Sequence, residues 1–207
     1  MFSDKLSNKT EKYLNDFGVQ VLTDEKVETV SHNTVETNKQ ILKTRNIIWA
    51  AGNEASPLIA KLNTITDDYG RAIVDSDCAL KEDPDVFVIG DASNHKDLRN
   101  NTLPGIAPVA IQQGKYVGKI VKNKIIKMDR KPFKFSDKGM MATIGKYKAV
   151  GKIGNIEVSG FIAWVVWSVI HIVYLIGYRS KLLVIIEWIF SYLFNKKGTR
   201  LIYREEI

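Results

Sequence analysis

Asp85-Val-Phe-Val-Ile-Gly90-Asp91-Ala92, followed further on by Leu103-Pro-Gly-Ile-Ala-Pro-Val-Ala-Ile-Gln-Gln-Gly114, is the stretch that decides the fold. Its first part is a β-branched apolar run, the pattern of a strand buried on both faces. A strand that stops at Gly-Asp lets the backbone approach a ligand and sets a carboxylate at the carboxyl end of a sheet. Open α/β folds bind ligands there. The Ala/Gln-rich part opens a helix, whose first N–H groups have no partner within the helix and can hold electron-rich groups. The pair predicts an α/β fold with a ligand at the strand-to-helix corner.

Working outward, Ser3 or Asp4 caps a helix that runs to about Phe17 and stops at Gly18. Val19–Leu22 and Val27–Val30 read as short strands, with Asp24-Glu25-Lys26 as the turn. His32–Lys39 is polar and hairpin-like. Asn46-Ile-Ile-Trp-Ala-Ala-Gly52 is a second apolar run ending in glycine, again the pattern of a buried parallel strand. Arg71–Asp75 is a further strand, and a helix follows from about Pro108 to Lys124. Arg130–Phe135 and Ala142–Val150 suggest a small antiparallel unit.

Charge divides the chain. Residues 1–114 carry 12 Lys/Arg against 17 Asp/Glu, a net of −5, whereas residues 115–207 carry 18 against 6, a net of +12. Such segregation suggests an acidic or neutral catalytic body and a basic surface that faces something anionic. Nucleic acid and anionic lipid are the usual partners of such a surface. The strongly apolar segments beyond residue 152 select lipid and argue against nucleic acid. A single cysteine, Cys78, excludes an internal disulfide and suits a reducing compartment, where it reads as a small core residue. The first residues contain no apolar signal core.

Residues 158–178 contain no Asp, Glu, Lys or Arg, and as a helix would extend roughly 30 Å. Trp164, Trp167, Tyr174 and Tyr178 are spread through this segment rather than gathered into belts at its ends. Lys181–Phe194 follows, with Glu187 at its centre. A carboxylate there is costly in a spanning helix and costs little at the membrane surface. Two interfacial helices are therefore expected in preference to a spanning one. Trp164, Trp167 and Trp188 would enter the headgroup layer, and Lys181, Lys196 and Lys197 would lie among anionic lipid heads.

Several motifs in order resemble type II NADH dehydrogenases, the non-proton-pumping NADH:quinone oxidoreductases. They are Trp49-Ala-Ala-Gly52 with Ala55-Ser-Pro-Leu58, Gly70-Arg-Ala-Ile-Val-Asp75, Gly90-Asp91, Ala107-Pro-Val-Ala-Ile-Gln-Gln-Gly114 and Gly139-Met-Met-Ala-Thr-Ile-Gly145. Ser159–Trp167 with His171 completes the set. The resemblance implies a partial two-dinucleotide-binding-domain (Rossmann-like) flavoprotein fold, with a small β unit and amphipathic membrane helices. Residues 1–52 would be the second half of the NADH-binding domain. Residues 53–126 would be the C-terminal part of the FAD-binding domain with the quinone-site helix, and 127–207 the basic β unit and membrane helices.

By the same resemblance, Gly52, Gly90, Asp91, Val109 and Ala110 would contact FAD, and Pro108, Gln112 and Gln113 would border the quinone. Pro108 stands where many relatives have a first glutamine, so Gln112 is the better candidate to orient quinone. Helix-surface solvation for Gln112 and Gln113, and a capping role for Asp91, remain as alternatives. No metal site and no essential acid or base is expected. The two Gly-x-Gly-x-x-Gly turns through which the family holds FAD and NADH do not occur in this sequence. The chain therefore reads as the C-terminal half of such an enzyme, peripheral on the cytoplasmic face of the membrane. A homodimer, or association with an N-terminal fragment carrying those turns, would follow. The competing reading is a truncated, non-catalytic, membrane-attached interaction fragment.

Overall fold

The computed structural model describes residues 2–175 and 177–194. The expected membrane contacts Lys196 and Lys197 lie outside the described residues. The chain forms two compact units, one of residues 1–24 and 138–207, the other of residues 25–137.

The 25–137 unit opens with a three-stranded antiparallel meander, β1 (Val27–Val30), β2 (Thr34–Thr37) and β3 (Ile41–Lys43). Thr37 fixes its turn: the hydroxyl accepts the N–H groups of Lys39 and Gln40 and donates to Glu25. A short parallel pair follows, β4 (Ala72–Ile73) with β5 (Ser93–Asn94). Around it Ile59, Ala72, Val74, Leu80 and Val88 bury one another, and this cluster is the unit's core. Cys78 lies fully buried in the same unit, as a small core residue should, and burial pushes its thiol up to about 12.

Helix α2 spans Ala107–Lys122. Pro108 sits in its first turn, where its missing N–H costs nothing and its fixed φ suits a helix. Lys119 and Lys122 in the last turn complement the helix dipole.

Two apolar runs depart from the strand reading. Asp85–Ile89 forms only an antiparallel bridge, Phe87 opposite Ala79, with Val88 N–H donating to the Cys78 carbonyl. Residues 46–52 form no strand, and most of their side chains are exposed. Both runs have the composition of central strands. Among the described residues, neither has the neighbours on both sides that such a strand requires. Val19–Leu22 and Arg130–Phe135 likewise form no strand. Phe133 is held by side-chain packing against His95 and Tyr116 and by its N–H on the Ser76 carbonyl.

The other unit starts with α1 (Asp4–Asp16), whose N-terminus is capped by the Ser3 hydroxyl on the Leu6 N–H. Helix α1 packs on an antiparallel sheet of β6 (Met140–Thr143), β7 (Ala149–Ile153) and β8 (Ile156–Gly160). Leu6, Ile144 and Val150 form the core, with Tyr13 and Leu14 against them. Gly139 and Gly151 are sites of close approach. A Cβ on Gly139 would collide with the Lys152 carbonyl oxygen, and one on Gly151 would stand 2.9 Å from Met141.

The charge-free 158–178 segment is not one helix. Its first residues finish β8, then α3 runs Phe161–Tyr174 and α4 runs Tyr178–Phe194. Leu175 ends α3 in extended conformation and Gly177 turns the chain at φ +86°. No helix among the described residues is long and apolar enough to cross a membrane.

Candidate functional site

The corner that follows Ile89 is a single 3-10 turn, Gly90–Ala92. Gly90 adopts φ +66°, a conformation that costs a residue with a side chain about 1–2 kcal/mol. A Cβ there would also stand 3.2 Å from the Ala110 Cβ. The turn therefore lies directly on the first turns of α2, and glycine is what lets it do so.

Gln113 locks this arrangement. Its Oε1 accepts the Gly90 N–H at 2.7 Å, and its side chain is 0% exposed. The same amide presents a buried Nε2 that finds no partner among the described residues. Ser93 closes the turn from the other side, donating its hydroxyl to the Gly90 carbonyl at 2.9 Å. Gly105 lets the Asp91 carboxylate lie against the backbone, since a Cβ there would meet Asp91 Oδ1 at 3.3 Å.

Asp91 itself is exposed and, among the described residues, takes no hydrogen bond or ion pair. Ile106 at the N-cap of α2 provides no side-chain cap. An open carboxylate thus stands beside an uncapped helix N-terminus. The carboxylate can accept from hydroxyls of a ligand, and the helix start can donate to an electron-rich group. These features fit the sugar-alcohol chain and ring edge of a flavin.

The structure brings Gly90, Asp91, Ala110 and Gln113 into one place. Val109 is buried beneath them and Pro108 is exposed at the helix start. Gln112 is committed elsewhere. Its Nε2 donates to the Ser136 carbonyl and its Oε1 accepts the Ser136 N–H, both at 3.0 Å. Gly52 lies on the exposed 46–54 segment with φ +112° and open space where a Cβ would stand.

Sequence reading missed an ionic clasp in the same unit. Arg130 is held by Asp77 at 3.3 Å and by the Pro84 carbonyl at 2.6 Å, and lies over the Phe87 ring. Lys127 bridges Asp75 and Asp77, each at 3.0 Å. Burial pushes the Asp77 carboxyl up, but donors from Lys127, the Ala79 N–H and Arg130 outweigh it and hold its pKa low. The clasp ties the chain ahead of Gly90 to the segment after α2. His95 was missed as well. It is 2% exposed, with Nε2 3.3 Å from the Ser76 carbonyl and Nδ1 without a partner among the described residues. No local signal marks either feature, because the partners are brought together only by folding.

In the other unit, Trp167 stacks on Trp188 at 5.7 Å, and Trp164 and Trp188 line an apolar groove of about 360 Å³ with Ile172 and Ile185. Lys181 donates to the Val173 carbonyl at 2.9 Å.

The Gly90–Asp91 turn packed on the start of an Ala/Gln helix is a ligand-accessible corner of an α/β fold. The pyridine nucleotide-disulphide oxidoreductase family matches residues 1–114, and the NDH2 C-terminal domain matches residues 138–197. The chain belongs to the pyridine nucleotide-disulphide oxidoreductase family, and within it to the type II NADH dehydrogenase branch.

The type II NADH:quinone oxidoreductase Ndh of Mycobacterium tuberculosis is 34% identical over 206 residues, 94% of this chain and 43% of that protein. The type II NADH:quinone oxidoreductase of Staphylococcus haemolyticus is 32% identical over 168 residues, covering 77% and 41%. A solved structure of Plasmodium falciparum NDH2 in complex with NADH shares the fold at a TM-score of 0.81 and 18% identity, covering 96% of this chain and 56% of that one. The chain spans less than half the length of these two curated relatives.

Proposed function

We infer that this chain forms the flavin-and-quinone end of a membrane-associated NADH:quinone oxidoreductase. The observation that carries the reading is the Gly90–Asp91 turn pinned to α2 by Gln113, with an unpaired carboxylate and an uncapped helix start on the same edge. The names of the relatives favour an enzyme over a non-catalytic fragment.

FAD bound at this corner would supply the redox chemistry, a hydride (two electrons and a proton) being taken from NADH and the two electrons passed to quinone, which becomes quinol by taking up that proton and a second one from solution. The residues of this chain bind, orient and exclude water. Asp91 accepts hydroxyls of the cofactor's sugar-alcohol chain. Gly90 lets the backbone come close, and the backbone at Val109 and Ala110 presents the helix start to the ring edge. Pro108 narrows the approach without adding a donor. Gln112, fixed on Ser136, borders the quinone path as a positioned amide. Gln113 keeps the corner rigid from within.

The apolar outer residues of α3 and α4, among them Phe161, Ile162, Val173, Leu183, Ile186 and Phe190, are exposed. With the basic charge of residues 115–207 they suit attachment to an anionic bilayer surface on its cytoplasmic side, quinone being drawn from the membrane. Glu187 is exposed, as an interfacial helix allows.

The test is stoichiometry. In the enzyme assembled with a portion carrying the nucleotide-binding turns, one quinone should be reduced per NADH oxidised without oxygen. NADH oxidation that proceeds only with oxygen would reject quinone as the acceptor.

A further inference from the structure

Gln112 lies one turn after Pro108 on α2, and positions four apart share a helix face. Its side chain is half-buried. The amide meets the main chain of Ser136 twice: Nε2 donates to the carbonyl and Oε1 accepts the N–H, each at 3.0 Å. An N–H only donates and a carbonyl only accepts, so both bonds demand the same orientation of the amide. Ser136 is held in turn by the segment it ends. Arg130 anchors the start of that segment on Asp77 and the Pro84 carbonyl. The Tyr116 hydroxyl donates to the Lys131 carbonyl, and Phe133 is buried against His95 and Tyr116 with its N–H on the Ser76 carbonyl. Residues 130–136 form no strand, yet they are fastened along their length.

Of the side chains set beside quinone, two have nothing to offer a carbonyl oxygen. Pro108 has no N–H, and Gln113 is 0% exposed, with its Oε1 on the Gly90 N–H. Gln112 spends one of its two Nε2 hydrogens on Ser136, and the planar amide aims the other away from that bond. We propose that the Ser136 main chain is the positioning element of the quinone site: it fixes the Gln112 amide so that the second Nε2 hydrogen is a preset donor to a quinone carbonyl oxygen. Negative charge grows on that oxygen as electrons arrive. A donor that needs no reorientation stabilises it more than a mobile one, and the hydrogen stays on the amide throughout. The inference rests on the proposed function for the identity of the acceptor. It deepens that reading by naming the group that orients the donor.

The experiment has two arms. In the full chain, NMR should show the two Gln112 amide hydrogens as separate signals, the one bonded to Ser136 displaced from the position of a solvated glutamine. Ser136→Pro removes the N–H and sets a ring carbon against Oε1, so both signals should move to the solvated position. In the flavin-loaded assembled enzyme, the readout is kcat/KM for duroquinone divided by kcat/KM for ferricyanide, a soluble acceptor that needs no carbonyl donor. Ser136→Pro and Gln112→Glu, whose carboxylate cannot donate, should each lower this ratio at least about tenfold. Lys134→Ala, an exposed change on the same segment, should leave it unchanged. Gln112 signals at the solvated position in the native chain would overturn the inference with no variant needed. An unchanged ratio in either Ser136→Pro or Gln112→Glu would overturn it as well. A native enzyme that reduces ferricyanide but no quinone would instead sink the proposed function, and the NMR arm would still read the clamp.

Discussion

Gln113 accepts the Gly90 N–H through Oε1 at 2.7 Å while its Nε2, equally buried, has no partner among the described residues. One half of this amide stabilises the corner and the other half carries a desolvation cost. Gln113→Leu removes both. The orphaned Gly90 N–H should cost about 1–3 kcal/mol, and loss of the unpaired NH2 should return part of it. A net destabilisation of about 1 kcal/mol in urea unfolding is expected, with weaker flavin retention in the assembled enzyme. An unchanged urea midpoint together with unchanged retention would show that the amide does not hold the turn.

Gly90→Ala acts on the same corner from the backbone. The φ of +66° and the 3.2 Å approach to Ala110 Cβ both oppose a side chain. A loss of about 1–2 kcal/mol is expected from conformation alone, read as a lowered midpoint. Gly118→Ala serves as the control. It lies inside α2, where alanine is the better helix former, and its Cβ would meet nothing within 4 Å. The control should be neutral or stabilising.

Arg130→Met breaks the clasp. The Arg130 side chain and its Asp77 partner are each 5% exposed. Removing one partner of a buried pair typically costs about 3–5 kcal/mol, and here the loss is softened because Lys127 still holds Asp77. A double-mutant cycle with Asp77→Asn should show coupling between the two. Because the folded pKa of Asp77 is lowered, its stabilisation is present above its ordinary value of 3.8 and is lost as pH falls through the still lower folded pKa. Additive single-variant losses would contradict the clasp.

His95 gives a second pH dependence with its own window. Burial pushes its pKa below the ordinary 6.5, against the opposing pull of the Ser76 carbonyl, Asp77 and Asp97. The neutral imidazole therefore contributes stability that is fully present above 6.5. That stability is lost as pH falls from there toward the folded pKa, because the unfolded chain takes up the proton first. Urea midpoints between about pH 7.5 and 5.5 should fall for the native chain, and the slope should flatten in His95→Gln. Equal slopes in the two proteins would rule His95 out as its source.

The parts of this architecture written in local residue order were legible from the sequence. Ser3 ahead of Leu6, Gly18 after α1, and Pro108 at the head of α2 each act through neighbours within a turn. Gly90 was legible as a turn position, and it takes φ +66°, although the strand expected ahead of it does not form. Asn46–Gly52 and Asp85–Ile89 misled because composition reports suitability for a buried strand and says nothing of whether a neighbour is present. The break of 158–178 into the end of β8, α3 and α4 was hidden because strand and helix are equally apolar there. Its only mark is Gly160 at φ +78° and Gly177 at φ +86°. The Gln113–Gly90 bond, the Arg130 clasp and His95 join residues 19 to 53 positions apart, distances at which no periodicity carries information.

The most direct measurement is the flavin content of the assembled enzyme, as the ratio of flavin absorbance to protein, for the native chain and for Asp91→Ala. If the open carboxylate at the Gly90 corner holds the cofactor, loss of one charge-assisted contact, about 1.5–3 kcal/mol, lowers affinity at least about tenfold. Asp91→Ala should then lose flavin on dilution while its urea midpoint is kept. Full flavin content with an unchanged release rate in Asp91→Ala would contradict the assignment of this corner as the flavin wall.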